Sequence, residues 1–262
     1  MYLCEQNYIE SLRYFIELAY DGQSFHGWQI QPNAESVQEH LEKALSVLLN
    51  QELSIVGAGR TDAGVHAKQL FAHFDIEKPI DEKQLVYKLN RFLPNTIGVK
   101  RIFSVHDEAH ARFDAISRTY EYVISIEKNP FLAAYSYYMA RPLSVEKMNQ
   151  AAVYLIKEAD FQCFSKSKTD VYTYFCTIEQ AVWEKKEEKL IFTIKANRFL
   201  RNMVRAIVGT LLEVGLGKIP PERIQEIIKS KDRGKAGFSV PAQGLFLTEV
   251  AYPNRILEKN DK

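Results

Sequence analysis

A chain of 262 residues that is 46% hydrophobic and 26% charged has ordinary globular composition, enough for one large domain or two small ones. Its 34 Lys and Arg stand against 33 Asp and Glu, so no global field steers it to nucleic acid and any polyanion contact rests on local clustering. Three widely spaced cysteines, Cys4, Cys163 and Cys176, argue against a disulfide framework or a zinc site and for a reducing compartment. The first residues carry Glu5 and Glu10 and no apolar run, which predicts no signal peptide, and no stretch approaches the about 20 apolar residues of a membrane span. The expectation is a soluble, cytoplasmic protein.

Residues 12 to 20 alternate, with Tyr14, Ile16, Leu18 and Tyr20 on one face, and end at the turn signal Asp21-Gly22; they predict a strand. The stretch Phe25-His26-Gly27-Trp28-Gln29-Ile30-Gln31-Pro32 is too broken for a helix. It reads either as a loop whose Trp28 packs on the core or as part of a site. Ser36-Val37-Gln38-Glu39 is a capping box opening a helix to about Leu49. Short β-type segments at Leu53-Ser54-Ile55-Val56 and from Gln69 to Asp75 then enclose a loop with three glycines and the row Arg60, Thr61, Asp62. A plain hairpin turn needs two to five residues and no arginine–carboxylate pair. A second helix fits Asp81 to about Leu93, with Leu85, Leu89 and Phe92 inward, and a strand fits Ile97 to Val105. This β-α-β-β-α-β order resembles the ferredoxin-like unit also used by RNA-recognition folds.

The second half opens with His110-Ala111-Arg112-Phe113 and an alternating strand in which Tyr120, Tyr122, Ile124 and Ile126 share a face. Ser144 caps a helix to about Lys157. The polar Lys166-Ser167-Lys168-Thr169-Asp170 reads as a mobile loop over a cleft, followed by strands at 171 to 183 and 189 to 196. A helix from about Phe199 to Gly215 would carry Arg198, Arg201 and Arg205 as one stripe at its start. Such a stripe is unfavourable at the positive end of a helix dipole unless anions lie near. Pro220-Pro221-Glu222 starts a last helix, the basic run Lys229, Lys231, Arg233 and Lys235 follows, and Gly244-Leu245 enters a closing strand.

Gly57-Ala58-Gly59-Arg60-Thr61-Asp62-Ala63-Gly64-Val65-His66-Ala67 resembles the signature loop of TruA-type tRNA pseudouridine synthases. Three further stretches resemble that family in its order. They are Tyr20-Asp21-Gly22 with Gly27-Trp28-Gln29; His110-Ala111-Arg112-Phe113 with Arg118-x-Tyr120; and Asn197-x-Phe199 with Met203-Val204-Arg205, followed by Gly244-Leu245. The likeness covers Tyr20 to about Tyr252. It implies an α+β fold of two ferredoxin-like, RNA-recognition-like halves, 1–105 and 106–262, sharing an extended, mostly antiparallel sheet with the active-site cleft between them.

The resemblance implies that Asp62 is the catalytic aspartate, that Arg205 pairs with it, and that Tyr120 stacks on the target base. Leu245 would line the uracil pocket and Arg60 would fill the place of the flipped base. Arg112, Arg118, Arg198 and Arg201 would meet phosphates, with the Lys229 to Lys235 run as a further candidate. Cys176 stands where many bacterial relatives carry an arginine. The implied reaction is isomerisation of uridines at tRNA positions 38, 39 and 40, by a homodimer, with no metal or nucleotide cofactor. The chemistry suits the residues: breaking a glycosidic bond leaves positive character on the sugar, which one ionised carboxylate can stabilise, trap or relieve of a proton. A rival reading as a non-catalytic RNA-binding module predicts loss of that carboxylate. A metal nuclease or typical glycosidase needs more than one, and the loop has only Asp62.

Overall fold

The computed structural model describes residues 11–167 and 171–257. The readings placed on Cys4, Glu5 and Glu10, and the part of the polar loop at Lys168-Thr169-Asp170, lie outside the described residues. The chain runs β1 (Leu12–Tyr20), α1 (Val37–Leu49), β2 (Val56–Gly57), β3 (His66–Ile76), α2 (Glu82–Phe92) and β4 (Ile97–Val105). It continues with β5 (Ser117–Ser125), β6 (Tyr137–Tyr138), α3 (Val145–Val153), β7 (Glu158–Asp160), β8 (Phe175–Lys186) and β9 (Lys189–Ala196). Then come α4 (Met203–Gly215), α5 (Arg223–Ser230), β10 (Leu245–Ala251) and the short α6 (Asn254–Leu257).

The strands form one sheet in the order β4-β1-β3-β10-β5-β9-β8-β7, with β2 added to β3 and β6 to β5. All pairings are antiparallel except β10 on β3 and β6 on β5. The two halves repeat one topology. In the first, β1 lies between β4 and β3, and β2 pairs with β3; in the second, β5 lies between β10 and β9, and β8 pairs with β9. The α+β architecture expected from the sequence is therefore the one that forms. Among the described residues, no helix is long and apolar enough to cross a membrane.

Local chemistry explains where the helices begin. Ser36 Oγ accepts from Glu39 N, Asp81 Oδ1 from Gln84 N and Ser144 Oγ from Lys147 N, each satisfying one orphan donor of a first turn. Two apolar cores result. One gathers the inner faces of α1, α2 and β1; the other gathers α3, α4, α5, β8 and β9. The first core also takes Ala109, Ala111 and Ala115 and, from the far end of the chain, Leu247, Val250, Tyr252 and Ile256. That return explains why Phe15 and Glu17, assigned by alternation to the second face of β1, are buried as well. Tyr252 packs edge-on against Phe15, and Glu17 accepts from Arg101 Nε at 2.6 Å and Gln69 Nε2 at 2.9 Å.

Several expected boundaries move. Phe92 is 46% exposed rather than inward, because its neighbour Leu93, 6% exposed, continues the buried stripe of Leu85 and Leu89 at four-residue spacing. Helix α3 stops at Val153, where the N–H groups of Tyr154, Leu155 and Ile156 bond three residues back and tighten the chain before β7. Strand β8 begins at Phe175 rather than at 171, and only Val56–Gly57 of the segment before the signature loop pairs.

Between β4 and β5 the chain is pinned to the sheet by polar groups, of which His73 is buried. Arg13 holds Asp75 through two bonds of 2.7 Å and donates to Ala109 O, while Ala111 N–H donates to His73 Nδ1 at 3.1 Å. Burial pushes His73 down to about 4, with Arg13 and His110 adding to it and Asp75 and Asp114 opposing. Folding therefore favours neutral His73, and its contribution, complete above the ordinary histidine value near 6.5, is lost as pH falls through that value towards 4. Urea unfolding at pH 7 and pH 5 should show a loss of about 2 kcal/mol attributable to this residue. His73→Gln, which keeps an acceptor for Ala111, should flatten that difference; an unchanged difference would show that His73 does not carry it.

Candidate active site

The signature loop leaves β2, enters β3, and is gripped from both halves. Tyr20, the last residue of β1, is buried and its hydroxyl lies 2.8 Å from Thr61 Oγ1. Trp28 N–H donates to Thr61 O at 3.4 Å and Gly64 N–H donates to Phe25 O at 3.2 Å. Gly27 adopts φ +94° with its α-carbon against the Thr61 carbonyl, where a Cβ would collide. Gly57 lies flat on the Trp28 indole, where a Cβ would sit 2.5 Å from the ring. In the loop after β1, left open between packing and site, Phe25, Gly27 and Trp28 are buried and bed the signature loop, whereas His26 and Gln29 to Pro32 are exposed.

The second half supplies the other grip. Val65 is buried in the core of α3, α4 and β9. The Arg118 guanidinium donates to Ala58 O at 2.9 Å, Arg112 O at 2.7 Å, Ala115 O at 2.8 Å and Asn197 O at 3.0 Å. One cation thereby ties the signature loop to the turn before β5 and to the segment before α4.

Between these grips Asp62 presents a carboxylate that is 25% exposed. Arg205 Nη1 lies 3.5 Å from Oδ2, and Arg201 Nε lies 3.9 Å from Oδ1. Arg205 is itself held, its Nε donating to Val240 O at 2.7 Å while its carbonyl accepts from Val240 N–H. A cation in the first turn of α4 faces the positive end of the helix dipole, and Asp62 offsets that cost.

The expected three-arginine stripe on this helix does not form. Asn202 takes the left-handed conformation at φ 65° and bonds Ser239 Oγ through Nδ2 at 2.6 Å, so α4 begins at Met203. Asparagine tolerates that region better than most residues. Arg198 and Arg201 therefore stand on the irregular segment before the helix, and only Arg205 is helical.

Tyr120, on β5, is half-buried and meets Phe199 edge-on at 5.1 Å. Its hydroxyl makes no hydrogen bond among the described residues. Burial pushes its phenol up to about 12, against the pull of Arg118 and with a push from Asp62, so at neutral pH the ring is an uncharged face. Leu245 opens β10, buried and paired in register with Tyr122.

Arg60 and Arg112 are exposed, Arg112 lying 5.8 Å over the Phe113 ring, while Arg198 Nη1 donates to Thr173 O at 3.3 Å. In the run after α5, Lys231 pairs with Asp160 at 2.7 Å and Arg233 bonds Gly237 O and Ser239 Oγ, so two of its four cations serve internal contacts. Cys176 is buried in the second core, which pushes its thiol up to about 11. Sequence reasoning missed the Tyr20–Thr61 hydroxyl pair and the Val240 anchor. Tyr20 was legible as a strand end, whereas a backbone carbonyl leaves no signal in side-chain identity.

A family profile described as tRNA pseudouridine synthase matches residues 18–114 and 151–253. The chain is 53% identical over 248 residues to tRNA pseudouridine synthase A of Bacteroides fragilis, covering 94% of this chain and 98% of that protein. It is 53% identical over 253 residues to the Bacteroides thetaiotaomicron protein of the same name, covering 95% and 94% of the two chains. With that of Bacillus subtilis it shares 41% over 241 residues, covering 90% and 98%. The chain belongs to the tRNA pseudouridine synthase family and, within it, to the TruA type; its activity is that of an isomerase.

The Tyr20–Thr61 pair generates a prediction about how the loop is held. Tyr20→Phe removes one buried hydrogen bond and should cost about 1 kcal/mol in denaturant unfolding. It should slow single-turnover conversion several-fold while leaving RNA affinity unchanged. Thr61→Val should do the same, and the double variant should be little worse than either single one. Additive losses would mean that the two hydroxyls act independently.

Proposed function

We propose that this enzyme converts uridine to pseudouridine at positions 38, 39 and 40 of the tRNA anticodon stem-loop, with Asp62 as its essential catalytic residue. The observation that carries the reading is the carboxylate of Asp62, held in a two-sided loop with a different guanidinium near each oxygen. The reaction breaks the N1 glycosidic bond, turns the uracil and joins C5 to the same ribose carbon, so no atoms are gained and no electrons exchanged. An ionised carboxylate can act on the electron-poor sugar as nucleophile or as base, and Arg205 favours the ionised form and fixes its direction.

A sugar carbon is out of reach inside a stacked helix, so the target nucleotide leaves the stack. Tyr120 offers a ring face to the flipped uracil, a contact worth about 1–3 kcal/mol per base. Leu245 closes the other side, and Arg60, exposed beside Asp62 in the same loop, fills the vacated place. Arg112, Arg198 and Arg201 meet phosphates; Arg118, with four carbonyls on its guanidinium, acts in RNA binding mainly by holding Arg112 and the signature loop in register. On this reading the first half, 1–105, brings the aspartate and the second, 106–262, the tyrosine, arginine and leucine. The enzyme works in the cytoplasm as a homodimer, without metal or nucleotide cofactor, and the second copy extends the basic surface that a nearly neutral chain lacks.

Tritium release from tRNA carrying 5-tritiated uridine tests the reaction and its site together. Wild type should release tritium, and transcripts changed at all three positions should not; persistent release would move the target elsewhere. Asp62→Asn should lower release on the order of a thousandfold or more, and Arg205→Ala on the order of a hundredfold. Substantial release by Asp62→Asn would remove the aspartate from the mechanism. Tyr120→Phe should bind tRNA normally, and a large loss of affinity would show that the hydroxyl rather than the ring carries the contact.

A further inference from the structure

The two arginines beside Asp62 are held very differently. Arg205 sits on a helix, is 21% exposed, and is fixed through Nε to the Val240 carbonyl at 2.7 Å. Arg201 sits on the irregular segment before that helix and is 60% exposed. Its guanidinium makes no hydrogen bond among the described residues, and its one charged partner there is Asp62 Oδ1 at 3.9 Å. That separation is beyond hydrogen-bond reach, so the attraction is a solvent-screened Coulomb one, the kind most easily exchanged. Oδ2 faces the fixed cation, and Oδ1 faces the loosely held Arg201.

We propose that Arg201 is a displaceable cover on the reactive oxygen of Asp62, removed when a phosphate of the bound RNA takes the guanidinium in the carboxylate's place. The inference rests on the reading that Asp62 performs the chemistry. A phosphate offers a planar fork two strong acceptors and a geometry that the distant carboxylate does not, so the exchange favours RNA. Binding and uncovering then become one event: Oδ1 is exposed only when the backbone is seated where Arg201 can reach it. A nucleotide that enters the pocket without that phosphate meets a covered carboxylate. Arg201 thus acts as a positioning residue that couples correct seating of the RNA to reaction.

The test is a double-variant cycle on binding, using an unmodified tRNA transcript and fluorescence anisotropy with wild type, Asp62→Asn, Arg201→Gln and the double variant. Arg201 is exposed on an irregular segment, so Gln is tolerated by the fold. If Arg201 is shared between Asp62 and phosphate, Asp62→Asn frees it and should tighten binding about threefold to tenfold relative to wild type. In the Arg201→Gln background the same change should give less than about twofold. Arg201→Gln should also reduce the slope of log affinity against log salt by about 0.7–0.9, the signature of one phosphate no longer neutralised, and Arg201→Lys should restore it. An equal gain in both backgrounds would show that the aspartate merely repels RNA and would overturn the proposal. An unchanged salt slope would also overturn it, since Arg201 would then reach no phosphate. Turnover by Asp62→Asn would defeat the catalytic reading separately, because the cycle is read on affinity alone.

Discussion

The two halves of the sheet meet through a very short parallel contact, Phe246 beside His66 and Leu247 beside Ala67. That joint lies four residues after Asp62 on one side and starts one residue after Leu245 on the other. The relative placement of Asp62 and Leu245 is therefore set by main-chain pairing rather than by side-chain reach. Buried packing reinforces it: His66 stacks on Phe246 at 4.6 Å, Gly22 N–H donates to His66 Nδ1, and the Gly22 backbone presses against the Val65 carbonyl. Any change in the angle between the halves would shift Asp62 relative to Tyr120 and Arg205. The site needs the joint rigid, and His66 at its centre is buried, although its Nε2 has no hydrogen-bond partner among the described residues.

Charge is distributed around this joint with a clear division of labour. Arg13, Arg101 and Arg118 are engaged with carboxylates or carbonyls and hold segments together. Arg60 and Arg112 are exposed, and Arg201 is held only loosely. A chain of formal net charge +1 can in this way present cations at one opening without a global field. Arg205 stands between the two groups: anchored by a carbonyl, it still keeps Nη1 near the carboxylate. Its place at the start of α4 would be a defect in an isolated helix and becomes useful because an anion lies in front of it.

Much of this was legible in the sequence, and the reason is locality. The serine caps, the alternation of β1 and the turn at Asp21-Gly22 are all decided by residues a few positions apart, so those elements could be read directly, while the division into two halves came only through likeness to a family. The signature loop and the arginine at 205 were legible through their likeness to a family. What escaped depends on contacts between distant segments. Asn202 turning left-handed is stabilised by Ser239, and no local pattern announces that α4 begins there rather than at Phe199. The structural contacts of Arg118 were not legible either, because its four carbonyl partners come from separate stretches of chain. Phe92 reads as inward at three-residue spacing from Leu89, yet Leu93 at four-residue spacing takes the buried place.

The late strand β10 has a consequence for how the molecule comes into being. A ribosome delivers the aspartate loop early, whereas the Val240 carbonyl that orients Arg205, and the strand that bridges the halves, emerge near the end of the chain. The first half can collapse around α1 and α2 as it leaves the exit tunnel, but its core stays open where Leu247, Val250, Tyr252 and Ile256 belong. Such non-local closure is the slow part of folding. A nascent chain thus carries Asp62 without its Arg205 partner for most of its synthesis, and the pairing is completed only with the closing segment.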